Sequence, residues 1–243
     1  MSYSPDLYRH TIMITGASRG IGRSVAWHTA ACRATVIACA RDLERLRTLA
    51  EEATNAGYAV YPMQLDITDK SSIQQVFQRI SNAFDSLDVL INNAGVGRFG
   101  PTREFSTQDL DDVLNVNVRG TFLCCQEALN FMLPQNNGYI INISSVVGFK
   151  GYPHQAAYTA SKHAVMGLTK SLAVELQQHN IRVSAVLPGG VETELVTAAR
   201  PDLDTSELMH PEDVAETVLY LLGLSDRAAV DQIYVRRRNG TPF

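Results

Sequence analysis

Thr11-Ile12-Met13-Ile14-Thr15-Gly16-Ala17-Ser18-Arg19-Gly20-Ile21-Gly22 decides the fold. Five strand-type residues run directly into glycines at 16, 20 and 22, and then into a helical pattern carrying Val25, Ala26 and Trp27. Glycine allows the tight turn and lets backbone approach a pyrophosphate. It also leaves N–H groups and a helix dipole aimed at anionic oxygens. The Gly-x-x-x-Gly-x-Gly spacing differs from the general dinucleotide fingerprint, Gly-x-Gly-x-x-Gly, but the physics is the same. Many strand-to-helix turns need glycine for structure alone. The position after a first strand, with further strands following, favours a nucleotide cradle.

Working outward, short apolar runs alternate with longer helical ones, which signals βαβ units and a parallel sheet. Further strands are expected at 34–40, 59–64, 89–91, 139–143, 182–187 and 232–235. Helices are expected at 43–56, 71–84, 107–132 (ended by Pro134), from before Tyr158 to about 178, and 211–224. The run 34–40 is apolar throughout, as in a strand buried on both faces. In such a sheet ligands bind beyond the carboxyl ends of the strands, and Gly16, Asn93, Ser145 and Gly189 all fall there.

The 243 residues are 45% hydrophobic and 19% charged, with net charge −4. That suits an ordinary globular chain and argues against nucleic-acid binding, which needs phosphate neutralisation. No apolar run approaches the roughly 20 residues of a membrane span. Met1 to His10 has no apolar signal-peptide core. Cys32, Cys39, Cys124 and Cys125 lack metal spacing and read as buried thiols, so a cytoplasmic setting is expected. No metal-ligand cluster is apparent among the six histidines.

A free ribose 2′-hydroxyl is usually held by an acid at the end of the second strand. Here that strand ends Ala40-Arg41, and Arg19 lies inside the glycine loop. Both arginines suit a 2′-phosphate through charge-assisted bonds. Asp42, one residue later, reads as a helix cap. The cofactor expected is NADP(H). A solvated loop charge is the plain alternative for Arg41.

Tyr158-Thr159-Ala160-Ser161-Lys162 puts a phenol and an ammonium one helical turn apart on one face. A free tyrosine titrates at about 10. A lysine roughly 4–6 Å away lowers that by one to three units, which makes an acid/base group. Taken alone the pair is common surface decoration. It gains meaning from a cofactor and a second polar group beside the tyrosine.

Thr15 to Gly22, Asn92-Asn93-Ala94-Gly95, Asn117, Ser145, Tyr158-x-x-x-Lys162 and Pro188-Gly189, in this order, resemble the short-chain dehydrogenase/reductase family. The likeness covers Thr11 to about Leu224. It implies an α/β single-domain Rossmann fold spanning 1–243, a doubly wound seven-stranded parallel sheet with helices on both faces. It also implies a tetrad of Asn117, Ser145, Tyr158 and Lys162. Ser145, 13 residues before Tyr158, fits the pattern, and Ser144 then faces the strand's other side.

By the same likeness Gly16, Ser18, Arg19, Gly20, Ile21, Gly22 and Arg41 contact the cofactor, and Asp66 and Ile67 flank its adenine. Asn93, Ala94 and Gly95 line the adenosine ribose side. Pro188, Gly189, Val191 and Thr193 hold the nicotinamide end. Ser145 bonds the reacting oxygen, Tyr158 protonates it, and Lys162 tunes Tyr158 and holds the nicotinamide ribose. Asn117 holds a water that links Lys162 to solvent. No metal is required.

The likeness further implies a hydride transfer between NADPH and a small-molecule carbonyl or alcohol, by a homodimer or homotetramer. The candidates are a 3-oxoacyl-thioester reductase, a 3-hydroxy acid dehydrogenase and a broad ketone reductase. A carrier-protein substrate would need a basic docking surface, to which Arg98, Arg103 and Arg119 are possible contributors. The rival is a dinucleotide-sensing binding protein, which would be expected to lose a tetrad group.

Residues 1–10 read as an N-terminal extension, 194–210 as a substrate lid with Leu195, Val196, Leu203, Leu208 and Met209, and 236–243 as a tail. Phe99, Val147, Phe149 and Tyr152 are candidate pocket walls. Two departures stand out. Cys32-Arg33-Ala34 replaces a common family glycine, and Arg236-Arg237-Arg238 ends the chain as a solvated tail or an interface.

Overall fold

Strand β1, Thr11–Thr15, pairs in parallel with β2, Thr35–Ala40, on one side and with β4, Val89–Asn92, on the other. Beyond β2 lies β3, Ala59–Gln64; beyond β4 lie β5, Gly138–Ile143, β6, Ile181–Pro188, and β7, Gln232–Val235. The order is β3-β2-β1-β4-β5-β6-β7, all parallel, so the chain reverses direction between β1 and β4. That switch point opens a crevice at the carboxyl ends. This computed structural model describes residues 5–199 and 204–240.

Side chains alternate across each strand with period two. Ile12 and Ile14 of β1 join Val36 and Ala38 of β2 in one core layer. It is covered by helices α1, Gly20–Ala31, and α2, Leu43–Asn55, with Val25, Ala26, Leu46 and Leu49 turned inward. Met13, Ile37 and Cys39 face the other layer. There Ile73 and Ile80 of α3, Lys70–Ala83, meet Cys124, Ala128 and Met132 of a later helix. Helices on both faces explain why β1 is buried at every residue.

The expected helix over 107–132 is corrected. It is α4, Thr107–Leu114, then a π-helical stretch, Asn115–Gly120, then α5, Thr121–Gln135. The widened turn packs against Ile67. A Cβ on Gly120 would lie 2.0 Å from Ile67 Cγ1, so Gly120 must face Ile67. An inserted residue in one turn rotates Asn117 into the crevice, as π-bulges at functional sites do. Pro134 sits within the last turn of α5 instead of ending it, and the helix stops at Asn136, which is left-handed at φ 48.

Helix α6 is Ala156–Leu176, a short α7 is Glu194–Ala199, and α8 is Pro211–Leu222. The turn before β2 keeps the left-handed conformation that glycine would suit, with Arg33 adopting φ 74. Tyr8 and Asp6 hold that arginine by stacking at 4.6 Å and an ion pair at 3.0 Å. No helix among the described residues is long and apolar enough to cross a membrane.

Candidate active site

The glycine loop is shaped by contacts that exclude a side chain. Gly16 and Gly20 have φ of 68 and 53, and a Cβ on Gly22 would lie 2.3 Å from Gly16 O and from Asn93 Nδ2. Asn93 Nδ2 donates to Thr15 O and Gly16 O at 3.0 and 3.1 Å. Thr15 Oγ1 accepts from the backbone N–H groups of Asn93 and Ala94, both at 3.1 Å. The end of β4 is thereby fastened to the loop. Asn93 shapes the cradle through its amide while its backbone lines the crevice. Arg19 is the first cap of α1, and no side chain caps that N-terminus. Its N–H groups face outward, as an anion cradle requires.

Asp42 caps α2 as expected, accepting from Arg45 N at 3.1 Å. Arg41 is exposed at the end of β2, and its carbonyl accepts from Gln64 Nε2 at 3.0 Å. Arg19 has a carboxylate partner of its own. It forms an ion pair with Glu194, whose other oxygen is 2.8 Å from Arg45 Nη1. Neither Arg45 nor Glu194 was expected here. The residue three positions after the cap Asp42 was the one local hint for Arg45.

Asp66 is turned into its own loop, accepting from Thr68 N and Thr68 Oγ1 at 2.9 and 2.7 Å. Partial burial raises its carboxyl, but these bonds and the charge of Arg41 hold it below the usual range. Ile67 is buried against Gly120 and forms the floor of this side.

At the other side of the crevice β5 leads into Ser145, which is extended at φ −170. Ser145 Oγ accepts from Val147 N at 3.3 Å, donates to Pro188 O at 3.5 Å, and is hydrogen-bonded to Tyr158. Ser144 faces away, donating to Lys162 O at 3.3 Å. Lys162 is 5% exposed, donates from Nζ to Ile143 O at 2.9 Å, and lies 5.8 Å from the Tyr158 ring centroid. Three of the four expected groups therefore meet at the end of β5.

The tuning expectation needs correction. Burial pushes Tyr158 up to about 12, offset in part by the Ser145 bond. Burial also lowers Lys162 to about 8. The ammonium is bonded to the Ile143 carbonyl and lies beside the ring, so desolvation outweighs its attraction for a phenolate. Tyr158 is thus protonated at neutral pH, as a proton donor must be.

The lysine shift makes a stability statement. Unfolded, Lys162 keeps its proton up to about 10.5, whereas folded it sheds it near 8. The unfolded chain binds the extra proton in that window, so its folded-state penalty fades as pH rises through it. Tyr158 acts oppositely only above pH 10. Lys162→Met is expected to flatten the rise of the urea midpoint between pH 8 and 10; an unchanged rise would contradict the burial of a charged Lys162.

Asn117 is 1% exposed, and its side chain makes three hydrogen bonds. Oδ1 accepts from Val96 N at 2.8 Å, and Nδ2 donates to Val96 O at 2.9 Å and Ser161 Oγ at 3.0 Å. Ser161 Oγ in turn donates to Tyr158 O at 2.7 Å. Asn117 therefore joins the loop after β4 to the turn that carries Tyr158. Its main-chain carbonyl accepts from Thr121 Oγ1 at 2.9 Å.

Beyond β6, Gly189 N donates to Val235 O at 2.7 Å and buried Val191 bridges to Met209. The Thr193 methyl would lie 3.2 Å from a Cβ on Gly20, so Thr193 abuts the glycine loop. Leu195 Cδ2 would lie 3.3 Å from a Cβ on Gly97, and Phe99 packs edge-on to Tyr158 at 5.6 Å. These give the reacting side an apolar wall, together with buried Val147. Phe149 instead stacks on Tyr234, and Tyr152 is exposed. Leu208 and Met209 of the expected lid are buried; Leu203 lies outside the described residues, as do 1–4 and 241–243 of the expected extension and tail.

The arginine tail is less solvated than expected. Arg236 Nη1 donates to the carbonyls of Arg237, Arg238 and Gly240, and Arg237 lies 3.9 Å from Glu207. Arg98 pairs with Asp109, and Arg119 donates to Thr68 O. The four cysteines are buried and form no disulfide, and burial pushes Cys39 and Cys125 up to about 12. Among the described residues, no group of three or more His, Cys, Asp or Glu side chains is placed to hold a metal.

A family model described as short chain dehydrogenase matches residues 10–204. The chain is 38% identical over 218 residues to a 3-oxoacyl-[acyl-carrier-protein] reductase of Aquifex aeolicus, covering 86% of this chain and 88% of that one. A solved variant of the actinorhodin polyketide ketoreductase with NADPH superposes with TM-score 0.89 at 32% identity, covering 94% and 96% of the two chains. A metagenomic short-chain oxidoreductase in complex with NADP superposes with TM-score 0.85 at 33% identity, covering 97% and 100%.

Proposed function

The chain belongs to the short-chain dehydrogenase family and is an oxidoreductase, and from that premise we propose that it reduces a 3-oxoacyl thioester with NADPH, Tyr158 donating the proton. The observation that carries this is the meeting of Tyr158 and Ser145 at the end of β5, with Lys162 buried beneath and its Nζ bonded to Ile143 O. The uncapped α1 N-terminus and the glycine loop with no room for side chains fit a dinucleotide pyrophosphate. Arg19 of the glycine loop, Arg41 at the end of β2 and Arg45 in the first turn of α2 fit a 2′-phosphate.

NADPH, when bound, supplies the hydride that forms the new C–H bond at the carbonyl carbon. The carbonyl oxygen then takes the electron pair of its π bond. Ser145 Oγ–H and Tyr158 O–H both face that oxygen, and donors aimed at developing charge lower the barrier. Tyr158 passes its proton to the oxygen, completing the alcohol. Lys162, with its Nζ 5.8 Å from the Tyr158 ring centroid, supplies positive charge beside the phenolate left behind. Asn117 holds the Tyr158 turn in place through Ser161. Phe99 and Leu195 keep the reacting side apolar.

The thioester reading takes support from the Aquifex relative's name and from this apolar wall. Exposed Phe122 on α5 and Val174 on α6 support assembly as a homodimer or homotetramer; a light-scattering mass of one chain would count against it. The buried thiols support a reducing, cytoplasmic setting. One domain spans the chain, with 194–210 as its lid. A carbonyl panel containing a 3-oxoacyl thioester, a 3-oxo acid and simple ketones tests the reading. Thioester turnover with NADPH well above that with NADH is expected; a preference for the simple ketones would overturn the substrate class.

A further inference from the structure

Resting on the NADP(H) reading, we propose that Glu194 is an internal stand-in for the cofactor's 2′-phosphate, and that Arg45 is a further residue selecting that phosphate. Glu194 opens α7, yet its carboxylate reaches back to two other elements. One oxygen pairs with Arg19 Nη1 of the glycine loop and the other with Arg45 Nη1 of α2, at 2.8 Å. Arg45 is steadied from behind by Asp42 Oδ2, 3.5 Å from its Nε. The two guanidiniums hold the Glu194 carboxyl below the usual carboxylate range.

The place and the chemistry both point to a phosphate. The carboxylate bridges the glycine loop that follows β1 and the helix that follows β2, the two segments that flank the ribose 2′ position in this fold. Two guanidiniums on one anion make the fork geometry that phosphate and carboxylate share. A phosphate monoester carries about −1.5 to −2 charge and three acceptor oxygens, so it outcompetes a single carboxylate. Side-chain exposures of 54%, 49% and 52% at Arg19, Arg45 and Glu194 keep the pair open to exchange. A ribose with a plain 2′-hydroxyl brings no charge and cannot displace Glu194. The carboxylate therefore competes with the 2′-phosphate alone, the two arginines supply the preference for it, and its displacement frees the first residue of α7.

Calorimetric titration with 2′,5′-ADP and with 5′-AMP tests this on the full chain, without turnover. Glu194→Gln is expected to tighten 2′,5′-ADP about three- to tenfold, the scale of an exposed ion-pair cluster, and to leave 5′-AMP unchanged. Arg45→Ala is expected to weaken 2′,5′-ADP about tenfold, the scale of a charge-assisted bond, again without effect on 5′-AMP. If the unmodified protein binds both nucleotides equally, the NADP(H) reading fails and this proposal fails with it. If it prefers 2′,5′-ADP but either variant leaves that affinity unchanged, NADP(H) stands and the proposal is overturned. Matched circular dichroism melts establish that the variants are folded.

Discussion

Tyr158→Phe is expected to cut turnover by about a hundredfold to ten-thousandfold, the range for loss of a positioned general acid. NADPH affinity is expected to stay within about twofold, since the lost hydroxyl is worth at most one neutral hydrogen bond there. The fold survives because phenylalanine keeps the ring and its edge contact with Phe99 at 5.6 Å. What disappears is the O–H bonded to Ser145, the proton offered to the reacting oxygen. Steady-state NADPH oxidation on the same carbonyl substrate reads the effect. A variant keeping more than about a tenth of the activity would remove Tyr158 from the role of acid, since that role implies a far larger loss.

Gly22→Ala is expected to cost about 3 kcal/mol or more, at the upper end for overpacking, because the obstacle is backbone. The added Cβ would lie 2.3 Å from Gly16 O and 2.9 Å from Gly16 C, as well as 2.3 Å from Asn93 Nδ2. Neither neighbour can yield freely. Gly16 is left-handed, and Asn93 is tied to Thr15 O and Gly16 O. At roughly 2–4 °C per kcal/mol for a chain of this size, the melting midpoint should fall by about 6–12 °C. NADPH binding should fall with it, because the collision opens the loop itself. Gly151→Ala is the control, having open space around its Cβ. A Gly22→Ala protein that melts with the unmodified chain would contradict the packing of α1 on the loop.

The sheet was legible because a parallel sheet covered on both faces writes itself as apolar runs. β1, β3 and β7 fall at the expected residues, and the ends of the other strands within one. The π-helical turn at Asn115–Gly120 left no such trace. There Gly120 packs against Ile67, a residue from another element that it meets only in the folded chain. Short α7 is below the length at which helical periodicity declares itself.

In the site, Ser145, Tyr158 and Lys162 were legible from spacing, and their meeting at β5 follows from the fold. The direction of the Tyr158 shift was not legible. Spacing gives the separation of Tyr158 and Lys162, but not the burial of the phenol or the bond from Lys162 to Ile143 O. Asn117 was placed in the tetrad, while its partners Val96 and Ser161 emerge only with the turn that rotates it inward. Arg45 and Glu194 are 149 residues apart, so no local pattern joins them. Arg41 carried the local signal at the end of β2, whereas the ion pairs to Glu194 are made by Arg19 and by Arg45 of α2.

The most direct measurement follows a deuterium label from the reduced nicotinamide of NADPH into the product of a 3-oxoacyl thioester incubated with the protein. The expected result is the 3-hydroxyacyl thioester with deuterium on the carbinol carbon and one NADPH consumed per product formed. Tight NADPH binding with no label transfer to any carbonyl in the panel would contradict it, and would leave a dinucleotide-binding protein in the place of a reductase.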